Sequence, residues 1–326
     1  MSAPTSVDGR VPVTVVTGFL GAGKTTLVNG VLANSVGRRV AIVQNEFAEL
    51  DIDSSLIVHA TEEIVELRNG CFCCLVREDV VRALAGLHRR RPHLDHVLIE
   101  TSGMTDPSPL VRSLTIDGAG LAERFELARV VAVADARFIP RQLRDRAEAA
   151  RQIAFADLVV LNKSDLVDAT SAEVARVAIA AVNPLAEIVD ASWGEVPIQK
   201  ILECGGPELD HSDFEESPDS VHGSGVRSRT ATVAGELSGP RLFRWLNDLM
   251  TLDGDRILRS KGLFVVAGLD HLIVMQSVHQ FLDVTTGRSR RPDDRTRLVL
   301  IGSDLDDLEL VTALEHCRPP SMAVPV

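Results

Sequence analysis

Residues 18–25 read Gly18-Phe19-Leu20-Gly21-Ala22-Gly23-Lys24-Thr25 and fit the spacing G-x-x-x-x-G-K-[ST]. Glycines, lacking Cβ, let successive backbone N–H groups wrap a phosphate chain. Gly18, Gly21, Ala22 and Gly23 supply that cradle. The helix begun by Lys24, Thr25 and Thr26 adds the positive end of its dipole. Lys24 is then placed to neutralise β- and γ-phosphate charge, and Thr25 to give its hydroxyl to Mg²⁺. Such a loop needs a carboxylate at a neighbouring strand end to hold the metal, directly or through its water. Glu100, closing Val97-Leu98-Ile99-Glu100, is the candidate, and Gly103 follows where its N–H could approach a γ-phosphate. Lys24 and Glu100 are the expected catalytic pair.

A second set of residues bears on the base. Asn162-Lys163-Ser164-Asp165 follows the apolar run 158–161. The Asp165 carboxylate can accept from both guanine N1–H and the guanine 2-amino group. Adenine offers neither donor, and a carboxylate left unpaired costs roughly 1–3 kcal/mol. GTP and GDP are therefore expected in preference to adenine nucleotides. Asn162 can bond the base or brace the loop, and the stem of Lys163 can lie along the base plane. Ser192, in Ala191-Ser192, sits where a further base-contacting loop is expected.

The whole chain has 326 residues, enough for one large or two ordinary domains, with 45% hydrophobic residues and 25% charged. A net charge of -12 excludes a nucleic-acid backbone as an expected partner. No apolar run reaches the roughly 18 residues of a membrane helix, so no membrane partner is expected. Residues 1–10 are polar and read as a disordered leader, and the expected address is the cytoplasm. Disulfides are disfavoured there, so Cys71-Phe72-Cys73-Cys74 reads as free thiols. Three thiolates so close suit a soft or borderline ion such as Zn²⁺. Glu46, Glu49, Asp51 and Asp53 are near in sequence, and Glu46 is the candidate oxygen ligand. A redox switch and simple packing are the alternatives for the cysteines. Cys204, Cys317, His271 and His279 stand alone and read as structural.

The elements that must carry these residues alternate. Residues 11–17, 40–43, 96–100, 128–133 and 158–161 are short, apolar and rich in β-branched side chains, as buried parallel strands are. Helical stretches lie between them at 24–33, 76–90, 106–114, 142–155 and 171–182. The expected fold is α/β: a P-loop domain over 11–203 with a mostly parallel sheet and helices on both faces. Residues 204–225, rich in Gly, Ser, Pro, Asp and Glu, read as a linker. Residues 226–326 read as a smaller α/β domain over an antiparallel sheet. Its expected strands are 227–234, 262–268, 271–276 and 297–301, and its expected closing helix is 304–317, capped by Asp304.

Together, residues 18–25, Asn45-Glu46-Phe47, Cys71-x-Cys73-Cys74, Glu100-x-x-Gly103 and Asn162-Lys163-x-Asp165 resemble the CobW-type P-loop GTPases. These are relatives of the GTPases that insert nickel into urease and hydrogenase. The resemblance continues through Arg259-Ser260-Lys261-Gly262 and Gln276-Ser277-Val278-His279 and so covers nearly the whole chain. It implies a slow, metal-stimulated GTPase that delivers a metal, most often zinc, to a client metalloprotein, and it is compatible with a homodimer. Two departures stand out. Ala48 replaces the glycine of the family's Asn-Glu-Phe-Gly-Glu segment, and only His211 and His222 stand where many members carry a histidine-rich stretch. The competing readings are a GTP-bound metal sensor, an insertion factor for cobalt, nickel or iron, and an ATP-dependent transferase, against which Asp165 argues.

Overall fold

The structure, a computed structural model, describes residues 9–44, 64–66, 80, 83–87, 89, 93–115, 121–202 and 225–320. Cys71, Cys73, Cys74, Glu46 and almost all of the segment expected as a linker lie outside these residues. The chain divides into two compact units.

The first unit holds a seven-stranded sheet in the order β3-β2-β4-β1-β5-β6-β7. Its strands are β1 Val11–Thr17, β2 Val40–Gln44, β3 Ile64–Glu66, β4 His96–Glu100, β5 Phe125–Asp135, β6 Leu158–Asn162 and β7 Glu187–Asp190. Every pairing is parallel. Each residue of β1, β2, β4 and β6 is buried, which is why these runs are apolar without alternation. Helices Lys24–Ala33, Ser108–Thr115, Ile139–Asp145, Ala147–Phe155 and Ile198–Leu202, and all but the last two residues of Ala169–Val182, also belong to this unit's span of chain. Val16, Leu27, Val28, Val31, Leu98, Val133 and Val160 form one cluster that seats the helix Lys24–Ala33 on the sheet. β1 lies between β4 and β5, so loops leaving the carboxyl ends of these strands diverge around a common crevice, the usual ligand position in an open parallel sheet.

Two expectations for this unit are adjusted. The stretch 142–155 is not one helix: it breaks at Arg146, which is extended at φ -133 and ψ 112. Continuing the inward stripe of Ile139 and Leu143 would bring Arg146 inward, so the helix stops and restarts to bury Ala149, Ala150 and Ile153 instead. β5 runs on to Asp135, a strand-end residue that its apolar run alone did not indicate.

The second unit holds a five-stranded sheet, β11-β10-β9-β12-β8. Here β8 is Val226–Val233, β9 Ile257–Phe264, β10 His271–Val278, β11 Phe281–Ser289 and β12 Thr296–Ser303, and every pairing is antiparallel. The helix Gly239–Leu252 has proline in its first turn and buries Leu242, Leu246, Leu249 and Met250 against the sheet's apolar face. β9 starts five residues before the expected 262, because Arg259, Ser260 and Lys261 are strand residues buried to 9%, 0% and 1% exposure. Polarity hid this strand; Ser260, for one, is satisfied by Ser277 at 2.6 Å. β11 was missed as well, being a mostly exposed edge with polar residues. The closing helix is Leu310–His316, and Asp304 is not its cap but a left-handed residue at φ 53 before it.

Candidate nucleotide site

The phosphate loop joins β1 to the helix Lys24–Ala33 through left-handed glycines, Gly18 at φ 139, Gly21 at φ 74 and Gly23 at φ 107. Two of them are also places where only hydrogen fits. A Cβ on Gly18 would stand 2.2 Å from the Val133 carbonyl oxygen, and one on Gly23 would stand 2.3 Å from Asn162 Nδ2. The loop therefore needs glycine both for its turn and for close approach to two neighbouring strands. Lys24 Nζ folds back to donate to the Gly18 carbonyl at 2.9 Å. Burial pushes its amine below the usual lysine range, and the Glu100 charge offsets part of that shift. Thr26 is exposed beside it on the first helical turn.

Thr25 and Glu100 are brought together across 75 residues: Thr25 Oγ1 donates to Glu100 Oε1 at 2.8 Å. The other Glu100 oxygen accepts from Gln44 Nε2 at 3.0 Å. A hydroxyl and a carboxylate side by side form the oxygen set that Mg²⁺ takes, and an amide fixing the carboxylate from behind is the support such a ligand needs. The donor set thus fits Mg²⁺. Gln44, at the end of β2, was not singled out as a site residue; only the folded sheet sets it level with Glu100 in the β2–β4 register.

Gly103 lies against the same loop, with space for a Cβ closed off by Leu20 N at 2.7 Å. Its backbone is not left-handed, so glycine is required here by proximity alone.

Asn162 is the brace rather than a free base ligand. Its Nδ2 donates to the Ala22 carbonyl at 2.9 Å and its Oδ1 accepts from Gly194 N at 2.9 Å. One buried amide thereby ties β6 to the phosphate loop and to the loop after β7. Lys163, left-handed at φ 61, donates from Nζ to the Gly21 carbonyl at 2.7 Å and to Asp135 Oδ2 at 2.8 Å. Asp165 is exposed in the short turn Ser164–Leu166, and its charge acts on Arg137. Ser192 is half-buried, and its carbonyl accepts from Glu195 N at 3.0 Å.

Asp135, at the end of β5, was missed. It accepts from Lys163 and, through both oxygens, from the Arg137 guanidinium at 3.0 and 2.8 Å. Burial alone would raise its carboxyl, but these hydrogen bonds outweigh it and hold the group below the usual range. Gly194 was missed too: its Cβ would meet Leu27 N at 3.0 Å, so the loop after β7 packs flat on the first helical turn.

A parallel sheet whose first strand runs through a glycine cradle into a helix, with a threonine and an acidic strand end facing each other beside it, defines a P-loop NTPase. The particular family follows from comparison with known proteins. Residues 12–190 match the family described as CobW/HypB/UreG, nucleotide-binding domain, and residues 226–318 match the cobalamin synthesis protein cobW C-terminal domain. The chain belongs to the CobW/HypB/UreG family. It is 33% identical to the zinc chaperone CobW of Pseudomonas aeruginosa, over 95% of this chain and 92% of that protein. It is 28% identical to the zinc chaperone YjiA of Escherichia coli, over 94% of this chain and 99% of that one. The crystal structure of zinc-bound YjiA GTPase from E. coli has the same fold at a TM-score of 0.76 and 23% identity, covering 95% of this chain and 99% of that chain.

Proposed function

We propose that this protein is a GTPase that binds zinc through Cys71, Cys73 and Cys74 and delivers it to a client metalloprotein. The observation that carries the nucleotide half is the attachment of the base loop to the phosphate loop: Asn162 and Lys163 both donate to its carbonyls, at 2.9 and 2.7 Å. Phosphate grip and base recognition are then one connected unit, and Asp165, exposed beside Lys163, is the residue that selects guanine. In this reading Lys24 neutralises the phosphates, the backbone of residues 18–25 cradles them, and Ser192 adds a contact to the base. Thr25 and Glu100 would hold Mg²⁺, which when bound offsets charge on the β- and γ-phosphates.

The zinc half rests on the chemistry of three adjacent thiols and on membership of a family whose relatives are named zinc chaperones. Glu46 is the proposed oxygen ligand. In sequence it lies two residues beyond Gln44, whose amide holds Glu100. No helix among the described residues is long and apolar enough to cross a membrane. A cytoplasmic address and a client metalloprotein as partner complete the reading; the alternative cargoes are cobalt, nickel and iron.

The test is competitive zinc titration against a chelator with GDP and with a non-hydrolysable GTP analogue, in wild type and in a Cys71→Ser, Cys73→Ser, Cys74→Ser variant. Zinc affinity should differ between the two nucleotides by about 5- to 150-fold, and the reciprocal shift in nucleotide affinity should match. Equal zinc affinities would reduce the metal to a passive ligand. Unchanged zinc stoichiometry in the triple variant would remove the cysteines from the site.

A further inference from the structure

A buried amide outside the nucleotide loops touches one of them. Gln152, on the helix Ala147–Phe155, is 1% exposed. Its Nε2 donates to the Gly103 carbonyl at 3.3 Å and to the Thr105 carbonyl at 3.2 Å. Both amide hydrogens are therefore spent on one loop. Turning the amide over would face its oxygen to two carbonyl oxygens, so this orientation is the one the surroundings require. Gln152 Oε1 is left buried without a hydrogen-bond partner. A helix that needed only packing would carry an apolar residue there, because an orphaned acceptor is costly. What the amide gains is hold over the loop.

That loop is the one leaving Glu100. Thr105 N donates to the Ser102 carbonyl at 3.1 Å, closing a turn with Gly103 and Met104 at its centre. On its other side Gly103 presses on the phosphate loop, where a Cβ would stand 2.7 Å from Leu20 N and 2.8 Å from Leu20 Cα. Gly103 is thus clamped between Gln152 behind and Leu20 in front. The neighbouring Arg151 adds an exposed tie to the same segment, donating to Asp106 Oδ2 at 2.8 Å.

We infer that Gln152 is a positioning residue for the γ-phosphate: by holding the Gly103 and Thr105 carbonyls it holds the turn of residues 102–105, and with it the Gly103 N–H, against the phosphate loop. The inference rests on the GTPase reading above. A diphosphate has nothing at that position, so the amide discriminates between GTP and GDP without touching either. The step it serves is recognition of the third phosphate, and through it the orientation needed for hydrolysis.

The experiment measures affinity for GDP and for a non-hydrolysable GTP analogue, both with Mg²⁺, in wild type and in Gln152→Met, which keeps the length and removes the donors. The expected result is about a tenfold loss for the analogue, with GDP binding within about twofold of wild type. A purely structural role would weaken both nucleotides by the same factor, and that result, or no change for either, overturns the inference. If Gln152→Met does not yield folded protein, Gln152→Asn carries the same test, since its shorter side chain withdraws the donors from both carbonyls. Failure of both variants to fold would assign Gln152 to the core alone and also overturn it. Wild-type protein that binds neither guanine nucleotide would instead overturn the GTPase reading itself.

Discussion

The two ends of the seven-stranded sheet both bury polar side chains, but they use them differently. At the carboxyl end, Gln44, Glu100, Asp135 and Asn162 each close a strand and each bond to a neighbouring strand end or to a loop. In the amino half, Thr14 Oγ1 meets His96 Nε2 at 2.8 Å and donates to the Ile201 carbonyl at 3.0 Å. There Asp157 accepts from Val130 N at 2.9 Å, and Arg129 donates to the Lys200 carbonyl at 2.7 Å. The amino-half groups join element to element. The carboxyl-end groups hold the phosphate loop and the strand ends around it. Burial of a polar group therefore does not by itself mark function; what its partner does decides that.

This comparison predicts that changes at one end alter nucleotide chemistry and changes at the other alter stability. The largest effect belongs to Lys24→Ala, which removes the cation proposed to neutralise the phosphates. Steady-state phosphate release should fall by about 100- to 1,000-fold, while the melting temperature stays near wild type. Undiminished turnover would break the assignment of the carboxyl end.

Thr14→Val should do the reverse. It keeps the shape but removes the oxygen that His96 bonds, leaving a buried imidazole nitrogen unpaired at a cost of about 1–3 kcal/mol. Denaturant unfolding should report that loss, with GTP affinity unchanged. The same histidine gives a pH signature. Burial first, and the Arg38 charge second, lower the His96 imidazole from 6.5 to about 3. The unfolded chain then binds a proton that the folded one refuses, so stability is full above the unfolded value and falls as pH drops below it. The decline from this group is about 1.4 kcal/mol per pH unit between those two values. His96→Gln should remove that part of the acid sensitivity, and an unaltered pH profile would take the titration away from His96.

The smallest effect is expected at Arg39, whose exposed guanidinium pairs with Asp95 at 2.8 Å. Arg39→Ala should change neither unfolding nor turnover measurably, because exposed ion pairs are screened and entropically costly. A marked loss of turnover there would blur the division between the two ends.

Much of the site was legible because its chemistry is local in sequence. Eight consecutive residues set the phosphate loop, and four set the base loop; their glycines and charges make sense without a partner. Apolar β-branched runs likewise announced β1, β2, β4 and β6, since a strand covered on both faces has no polar alternation to hide it. Less was legible in the second unit, where β9 carries buried Arg259 and Lys261 and β11 is a polar edge. Both look like loop in a hydrophobicity pattern, because only cross-strand pairing makes them strands.

By itself, then, the sequence determined the glycine-rich loop and the Asn162-Lys163-x-Asp165 segment proposed to meet phosphate and guanine, the parallel character of the first sheet, and the thiol triplet at Cys71, Cys73 and Cys74. Tertiary structure alone decided what holds these groups in place. Asn162 reaches Ala22 across 140 residues, Lys163 reaches Gly21 across 142, Glu100 meets Thr25 across 75, and Gln152 grips Gly103 across 49. The reason is physical. A loop's capacity to bind phosphate is encoded by residues that are neighbours along the chain, but the buried amides and carboxylates that fix it lie on other strands and helices. Their partners are backbone carbonyls and hydroxyls, which carry no distinctive spacing until the sheet brings them within hydrogen-bond distance.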